Sequence, residues 1–299
     1  MLSKLFHRLE NPDRPLIGPN YYWLQFWGLI LPKGKYARVL CLFLHIMVIL
    51  FAMTEFVDIW FSRSDLNEVL TNVKISMISA VSVGKVSTFF VWQKHWLDLL
   101  DYATRSDVKY RRHPYPETKA IIDKYTAYSR RITYSYWILV FSTVFVVCSQ
   151  PVLKYLTIAS YRENVRNGLE PYIQVANAWV PFDKTTSWGY IVAVSYQVYA
   201  TSFAGGWITS LDTNSMVLMV FFGGQFELLR CKCVRIFGND DEAVSDDEAR
   251  ERIIECHLLH VELINYLHKY SINPYNFKYV SSLKDFMKIS FSLYTIQIK

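Results

Sequence analysis

Four apolar stretches, each long enough to cross a lipid bilayer, lie between Trp23 and Phe222 and alternate with polar segments. The clearest is Val39 to Phe61. At 1.5 Å rise per residue it extends roughly 34 Å, against a hydrocarbon core of about 30 Å. A buried helix of a soluble enzyme seldom runs so long without a polar face. The other spans are expected at 75–92, 134–152 and 188–222. Trp23, Trp60, Trp92, Trp96 and Trp188 flank these stretches, as amphipathic rings do at membrane interfaces. The expected fold class is therefore all-α: a polytopic membrane helical bundle with four transmembrane helices and a cytoplasmic helical extension. Residues 1–38 read as an N-terminal segment, 39–222 as the transmembrane region and 223–299 as a helical region with an atypical tail. The N-terminus has charges but no apolar core followed by a small-residue cleavage site. The first span is expected to serve as the insertion signal.

Lys and Arg set the orientation. Lys4, Arg8, Arg14, Lys33, Lys35 and Arg38 precede the first span. The first connection carries Arg63 and Lys74. The second carries Lys94, Arg105, Lys109, Arg111, Arg112, Lys119, Lys124, Arg130 and Arg131. The third carries Lys154, Arg162, Arg166 and Lys184. Heavy and light segments alternate, so the N-terminus, the second connection and the tail are expected in the cytoplasm. This bias accounts for most of the net charge of +6. No basic recognition helix with base-reading residues is present, so nucleic acid is not expected as a partner. An internal N-terminus is opposite to that of a G-protein-coupled receptor.

Chemistry-bearing motifs are sparse. The sequence has no Gly-rich phosphate loop, no CxxC, no HExxH and no GxSxG, so no catalytic residues and no cofactor are expected. His257 and His260 lie i, i+3 on a cytoplasmic helix without a third ligand, and no metal is expected. All five cysteines are expected to be free. Cys231 and Cys233 are juxtamembrane, open to S-acylation or idle. Intramembrane ionisable groups are functional candidates by default. Lys85 sits mid-span and should have a carbonyl or carboxylate partner. Asp212 lies in the inner part of the fourth span. Glu55 and Asp58, at the outer end of the first, are expected to be solvated at the interface. His45 is expected to be a neutral packing residue. The fourth span, 35 residues from Trp188 to Phe222, should tilt, kink at Gly205-Gly206 or project into the cytoplasm. A helical continuation should end at Gly238. Ser245 and Glu248 read as a capping box ahead of an apolar stripe at Ile254, Leu258, Val261 and Ile264, which needs a partner surface.

Three segments carry a family resemblance. Asn11 to Tyr36 is an aromatic-rich lead-in to the first span. Leu169 to Tyr199 has a Pro-Phe-Asp turn shortly before a Tyr-rich span containing a Gln. Glu255 to Ser271 is a helix leading toward a further span. In order and spacing these resemble the insect odorant receptor family, over Met1 to about Ser271. The resemblance implies seven helices with the N-terminus inside. It implies ligand-gated cation channels formed as tetramers with a shared olfactory co-receptor, in the plasma membrane of sensory neurons. Odorants would bind among the second, third, fourth and sixth helices, in the outer half of the membrane, and the seventh helix would line the pore.

Given that orientation, the outer halves of the spans supply the candidate ligand-binding residues: Met77, Ile78, Val81, Phe145, Ser149, Val192, Tyr196 and Tyr199. They are mostly apolar with scattered hydroxyls, a mixture that suits a small volatile odorant held by shape and one or two hydrogen bonds. Ordinary helix packing, with Ser and Tyr bonding across helices, is the competing account. After Tyr270 the chain is expected to depart from the family. The apolar run Phe286 to Ile298 contains Lys288 and is short for a span. The fifth to seventh helices are then expected to be missing. On this reading the function is odorant recognition as a subunit working with a co-receptor. The alternatives are a truncated, non-conducting membrane protein with an interaction role, or a gustatory receptor of the same superfamily. Membrane lipid is an expected partner throughout.

Overall fold

A computed structural model describes residues 9–64, 66–112, 116–238 and 244–271. Among these residues every regular element is a helix. In chain order they are α1 (Gly18–Phe26), α2 (Lys35–Phe61), α3 (Leu66–Val91), α4 (Gln93–Arg111), α5 (Pro116–Thr157), α6 (Ala159–Arg166), α7 (Ser187–Val234) and α8 (Asp246–Ser271). The expected apolar run Phe286 to Ile298 lies outside the described residues.

Among the described residues, three helices are long and apolar enough to cross a membrane: α2, α3 over Asn72–Val91, and α5. Only 11% of the apolar window of α5 is buried within the chain. Apolar residues therefore face outward, the reverse of a soluble core and the pattern expected where lipid replaces water. The fourth expected span falls within α7, which is not among the three. At 48 residues it would extend about 72 Å. It carries inward-facing Gln197, Thr209, Ser210, Thr213 and Asn214, which lower its hydropathy while staying buried. The helix continues unbroken through Gly205-Gly206. A Cβ on Gly206 would fall 2.3 Å from the Trp27 indole, and one on Gly205 would fall 3.1 Å from Val144. These glycines allow close approach of Trp27, just after α1, and of α5.

The described residues form two compact units. One draws on the described residues within 22–90 and 134–213, the other on the described residues within 1–21, 91–133 and 214–299.

In the second of these, the lead-in segment is fastened by polar contacts. The Leu16 N–H donates to buried Asp107 at 3.0 Å, Arg130 donates to the Pro15 carbonyl at 2.6 Å, and Thr133 donates to Asn20 at 2.9 Å. Burial pushes the Asp107 carboxyl upward, and Arg111 and the Leu16 N–H oppose that rise. On α8 the Glu248 N–H donates to the Ser245 hydroxyl at 3.3 Å, so half of the expected capping box forms. The Glu248 carboxylate turns instead to Arg252 at 2.7 Å. Gly238 has φ +83°, the left-handed value a C-cap glycine adopts after the α7 end.

The face that α8 buries differs from the expected one. Cys256, Leu259, Leu263 and Leu267 are buried, whereas Ile254, Leu258, Val261 and Ile264 are exposed. Tyr266 stacks on Tyr102 of α4 at 3.7 Å, Lys232 of α7 pairs with Glu255, and Arg252 donates to the Arg235 carbonyl at 2.6 Å. The helix carries two apolar stripes, and its docking uses the one that also presents Tyr266.

Candidate functional site

The unit of residues 22–90 and 134–213 holds all eight candidate ligand-binding residues. Its helices are organised by an inward polar stripe. On α3, Asn72, Ser76, Ser82, Val86 and Phe89 are buried, with Ser79 half-buried between them. Their spacing of three and four residues marks one helical face. Met77, Ile78 and Val81 lie on the opposite face and are exposed. On α2 the buried set is His45, Val48, Phe51, Ala52, Glu55 and Asp58. In lipid a polar side chain is stabilised by facing other helices, which explains why the polar stripes turn inward.

Tyr196 and Tyr199 of α7 are half-buried and stack at 6.4 Å. Their hydroxyls donate to main-chain carbonyls of α2: Tyr196 to Met47 at 2.6 Å and Tyr199 to Leu44 at 2.8 Å. The Tyr196 ring meets Phe51 edge-on at 5.3 Å. Ile75, Tyr196 and Tyr199 pack on a buried cluster of Phe51, Ala176, Ala178 and Ala200. These two tyrosines thus act as α2–α7 fasteners whose rings line the same cluster.

The remaining candidates are separate from that cluster. Phe145 of α5 is 73% exposed, Val192 of α7 is exposed, and the Ser149 hydroxyl donates to its own helix at Val146, 3.0 Å away. Although Val192, Tyr196 and Tyr199 share helical spacing, only the two tyrosines reach α2.

The connection before α7 is built from the Pro-Phe-Asp turn. Asp183 accepts the Thr185 N–H at 2.8 Å and its hydroxyl at 2.7 Å, and the Thr186 hydroxyl accepts the Gly189 N–H at 3.2 Å. The Thr185 bonds hold the Asp183 carboxyl below its ordinary range. Buried Gln197 clamps this connection: its carbonyl oxygen accepts the Val175 N–H at 2.9 Å and its amide donates to Gln174 at 2.9 Å. The Trp179 N–H donates to Thr54 of α2 at 3.2 Å.

Ionisable groups fall into two places. Lys85 of α3 donates to Asp212 of α7 at 2.6 Å, so the expected carboxylate partner is present, and the Tyr136 hydroxyl lies 3.4 Å from the other oxygen. Glu55 and Asp58 are not solvated as expected. Glu55 is only 1% exposed and Asp58 is buried. Asn72 donates to Asp58 at 3.0 Å and itself accepts from Asn177 at 2.9 Å, while Lys184 stands 4.0 Å from Asp58. The inward i, i+3 spacing of these carboxylates with Ala52 and Phe51 was the available sequence signal. His45 behaves as expected, with Nδ1 2.8 Å from the Cys41 carbonyl and its ring beside Trp207. Among the described residues, no three His, Cys, Asp or Glu side chains converge as a metal site.

A family model described as 7tm Odorant receptor matches residues 65–296, more than three quarters of the chain. This chain belongs to the 7tm odorant receptor family. Membership places it among receptors rather than enzymes. The match runs through residues 272–296, the stretch where a departure from the family was expected, and does not include the Asn11 to Tyr36 lead-in. The fold resembles that of the insect olfactory receptor OR5 from Machilis hrabei, with a TM-score of 0.64 and 17% identity, over 93% of this chain and 67% of that one. The same receptor in complex with eugenol matches with a TM-score of 0.61 and 17% identity, over 84% and 64%. The odorant receptor chain described here thus spans about two thirds of the length of its structural relatives. No curated protein sequence matches it.

Proposed function

We infer that this protein is the ligand-recognising subunit of an odorant-gated cation channel. It works with a co-receptor in the plasma membrane of sensory neurons, with its N-terminus in the cytoplasm. The observation that carries the reading is the family match across residues 65–296. The eugenol complex of a protein with a similar fold supports a small volatile as the ligand class.

The positions proposed to meet the ligand are Tyr196 and Tyr199, from the cluster around Phe51, together with Met77, Ile78, Val81, Phe145, Ser149 and Val192, which lie apart from that cluster on α3, α5 and α7. The apolar members recognise shape, and a volatile gains by transferring its apolar surface onto them. Tyr196 and Tyr199 spend their hydroxyl protons on α2 carbonyls. They offer ring faces and hydroxyl lone pairs, so they favour ligands with an aromatic ring or a hydrogen-bond donor. Binding is tested on the purified protein in lipid nanodiscs, by tryptophan fluorescence titration with a panel of neutral volatiles. Saturable binding is expected, with Phe145→Ala and Val192→Ala changing the rank order of affinities. The absence of saturable binding by any volatile, or an unchanged rank order in both variants, would refute the assignment.

A further inference from the structure

The polar end of the same helical unit has a charge imbalance that a neutral ligand does not use. Glu55 is 1% exposed, yet neither carboxyl oxygen accepts a properly formed hydrogen bond, although the Ser79 hydroxyl lies beside it. A buried carboxyl with only the Ser79 hydroxyl beside it is costly, because it has surrendered water for little in return. One turn on, Asp58 is already served by Asn72 and by Lys184 at 4.0 Å. Among the described residues, Lys184 is the one cation paired with either group, so two carboxylates share one ammonium. Lys74, also on α3, is exposed on another face. One turn below Glu55 on the same face of α2 is Phe51, whose ring meets Tyr196 edge-on at 5.3 Å. A sparsely hydrogen-bonded carboxyl one helical turn from a pair of aromatic rings is a combination that can recognise an organic ammonium, through charge and cation–π attraction together.

We propose that Glu55, Phe51 and Tyr196 form a recognition site for small primary amines, with Glu55 as the counter-charge. This rests on the odorant-binding reading and names the ligand class for which the receptor would have its highest selectivity. The ammonium donates to the Glu55 carboxylate, its alkyl chain lies against Phe51 and Tyr196, and no bond is made or broken.

The test uses phenethylamine and its neutral counterpart 2-phenylethanol on the full chain in nanodiscs. The amine should bind the wild type more tightly than the alcohol. Glu55→Gln should weaken amine binding by about tenfold to a hundredfold, the range for one charge-assisted contact, and leave alcohol binding unchanged. Equal amine affinity in the Gln variant overturns the proposal. Loss of the amine preference with alcohol binding intact in the wild type overturns this inference alone, whereas failure of both probes overturns the odorant reading itself. A second measurement does not depend on the variant folding. A hydrophobic carbodiimide should modify the wild-type peptide containing Glu55, and phenethylamine should protect it. Protection by sodium ion alone to the same extent would identify an inorganic cation site and contradict the amine assignment.

Discussion

At the scale of single residues, hydroxyls and thiols give the most direct readings. Tyr196→Phe and Tyr199→Phe each remove one hydrogen bond to an α2 carbonyl while keeping the ring. Each should lower stability by about 0.5–1.5 kcal/mol, measured by thermal unfolding in nanodiscs or detergent. Tyr196→Ala should cost clearly more, because the contact with Phe51 goes as well. The thiols offer a pH-linked check outside the spans. Burial and the neighbouring Cys233 push the Cys256 thiol up to about 12, whereas Cys233 is exposed. A raised thiol pKa means less thiolate at a given pH, so at neutral pH Cys256 holds less of the reactive form than an ordinary thiol. Maleimide labelling followed by peptide mapping should modify Cys233 first and Cys256 last, with the Cys256 rate rising steeply only under strongly alkaline conditions. Equal rates at neutral pH would contradict the burial of Cys256 on the docked face of α8.

At the scale of helices, glycine gives a matched pair within α7. A Cβ on Gly206 would meet the Trp27 indole at 2.3 Å, whereas one on Gly223 would meet Tyr125 at an ordinary 3.6 Å. Alanine is favoured over glycine in a helix by about 1 kcal/mol, so Gly223→Ala should be neutral or stabilising. Gly206→Ala should instead destabilise by about 1–3 kcal/mol through overpacking. Opposite signs in thermal unfolding would support the packing of Trp27 on α7. A second pair couples α3 and α7. Lys85→Met or Asp212→Leu alone should cost about 1–3 kcal/mol, below the range for fully buried pairs because both side chains keep partial exposure, 27% and 22%. The double variant should recover much of that loss, which a double-mutant cycle measures.

These elements also show what could be read in advance. Helices α2, α3 and α5 follow from apolar length alone, because the bilayer fixes how long such a run must be. That Lys85 needs a carbonyl or carboxylate partner was legible from its mid-span position, but that Asp212 is that partner comes from the structure. The burial of Glu55 and Asp58 was not legible. Hydropathy places them near a helix end, where solvation is the ordinary outcome. Their burial depends on the 171–184 connection folding over α2 and α3, fixed by Gln197 and Asn177 at long sequence separation. Likewise α8 carries two apolar stripes, and the tertiary contacts of Tyr266 with Tyr102, Glu255 with Lys232 and Arg252 with Arg235 select one. For the ligand site, orientation and residue type pointed to eight positions. The structure then separates Tyr196 and Tyr199, which fasten helices, from outward-facing Met77, Ile78, Val81, Phe145 and Val192.

At the scale of the whole molecule, the account rests on apolar helix faces that point outward and on Lys85, Asp212, Glu55 and Asp58, which are paired or enclosed. Alternating Lys and Arg content predicts the N-terminus and the region of Lys119 on the cytoplasmic side and Asn167 outside. Epitope tags at the first two should be inaccessible in intact cells and one at Asn167 reachable; surface labelling of the N-terminal tag would reverse that topology. The central claim, that the outer segments of α3, α5 and α7 bind a volatile, is tested most directly by photo-crosslinking. A diazirine-bearing analogue of a bound volatile is irradiated with the protein in nanodiscs, and the adducts are mapped by mass spectrometry. The account predicts adducts on the peptides carrying Met77 to Val81, Phe145 to Ser149 and Val192 to Tyr199, all suppressed by excess parent volatile. Competable adducts confined to α4 or α8, or no competable adducts at all, would contradict it.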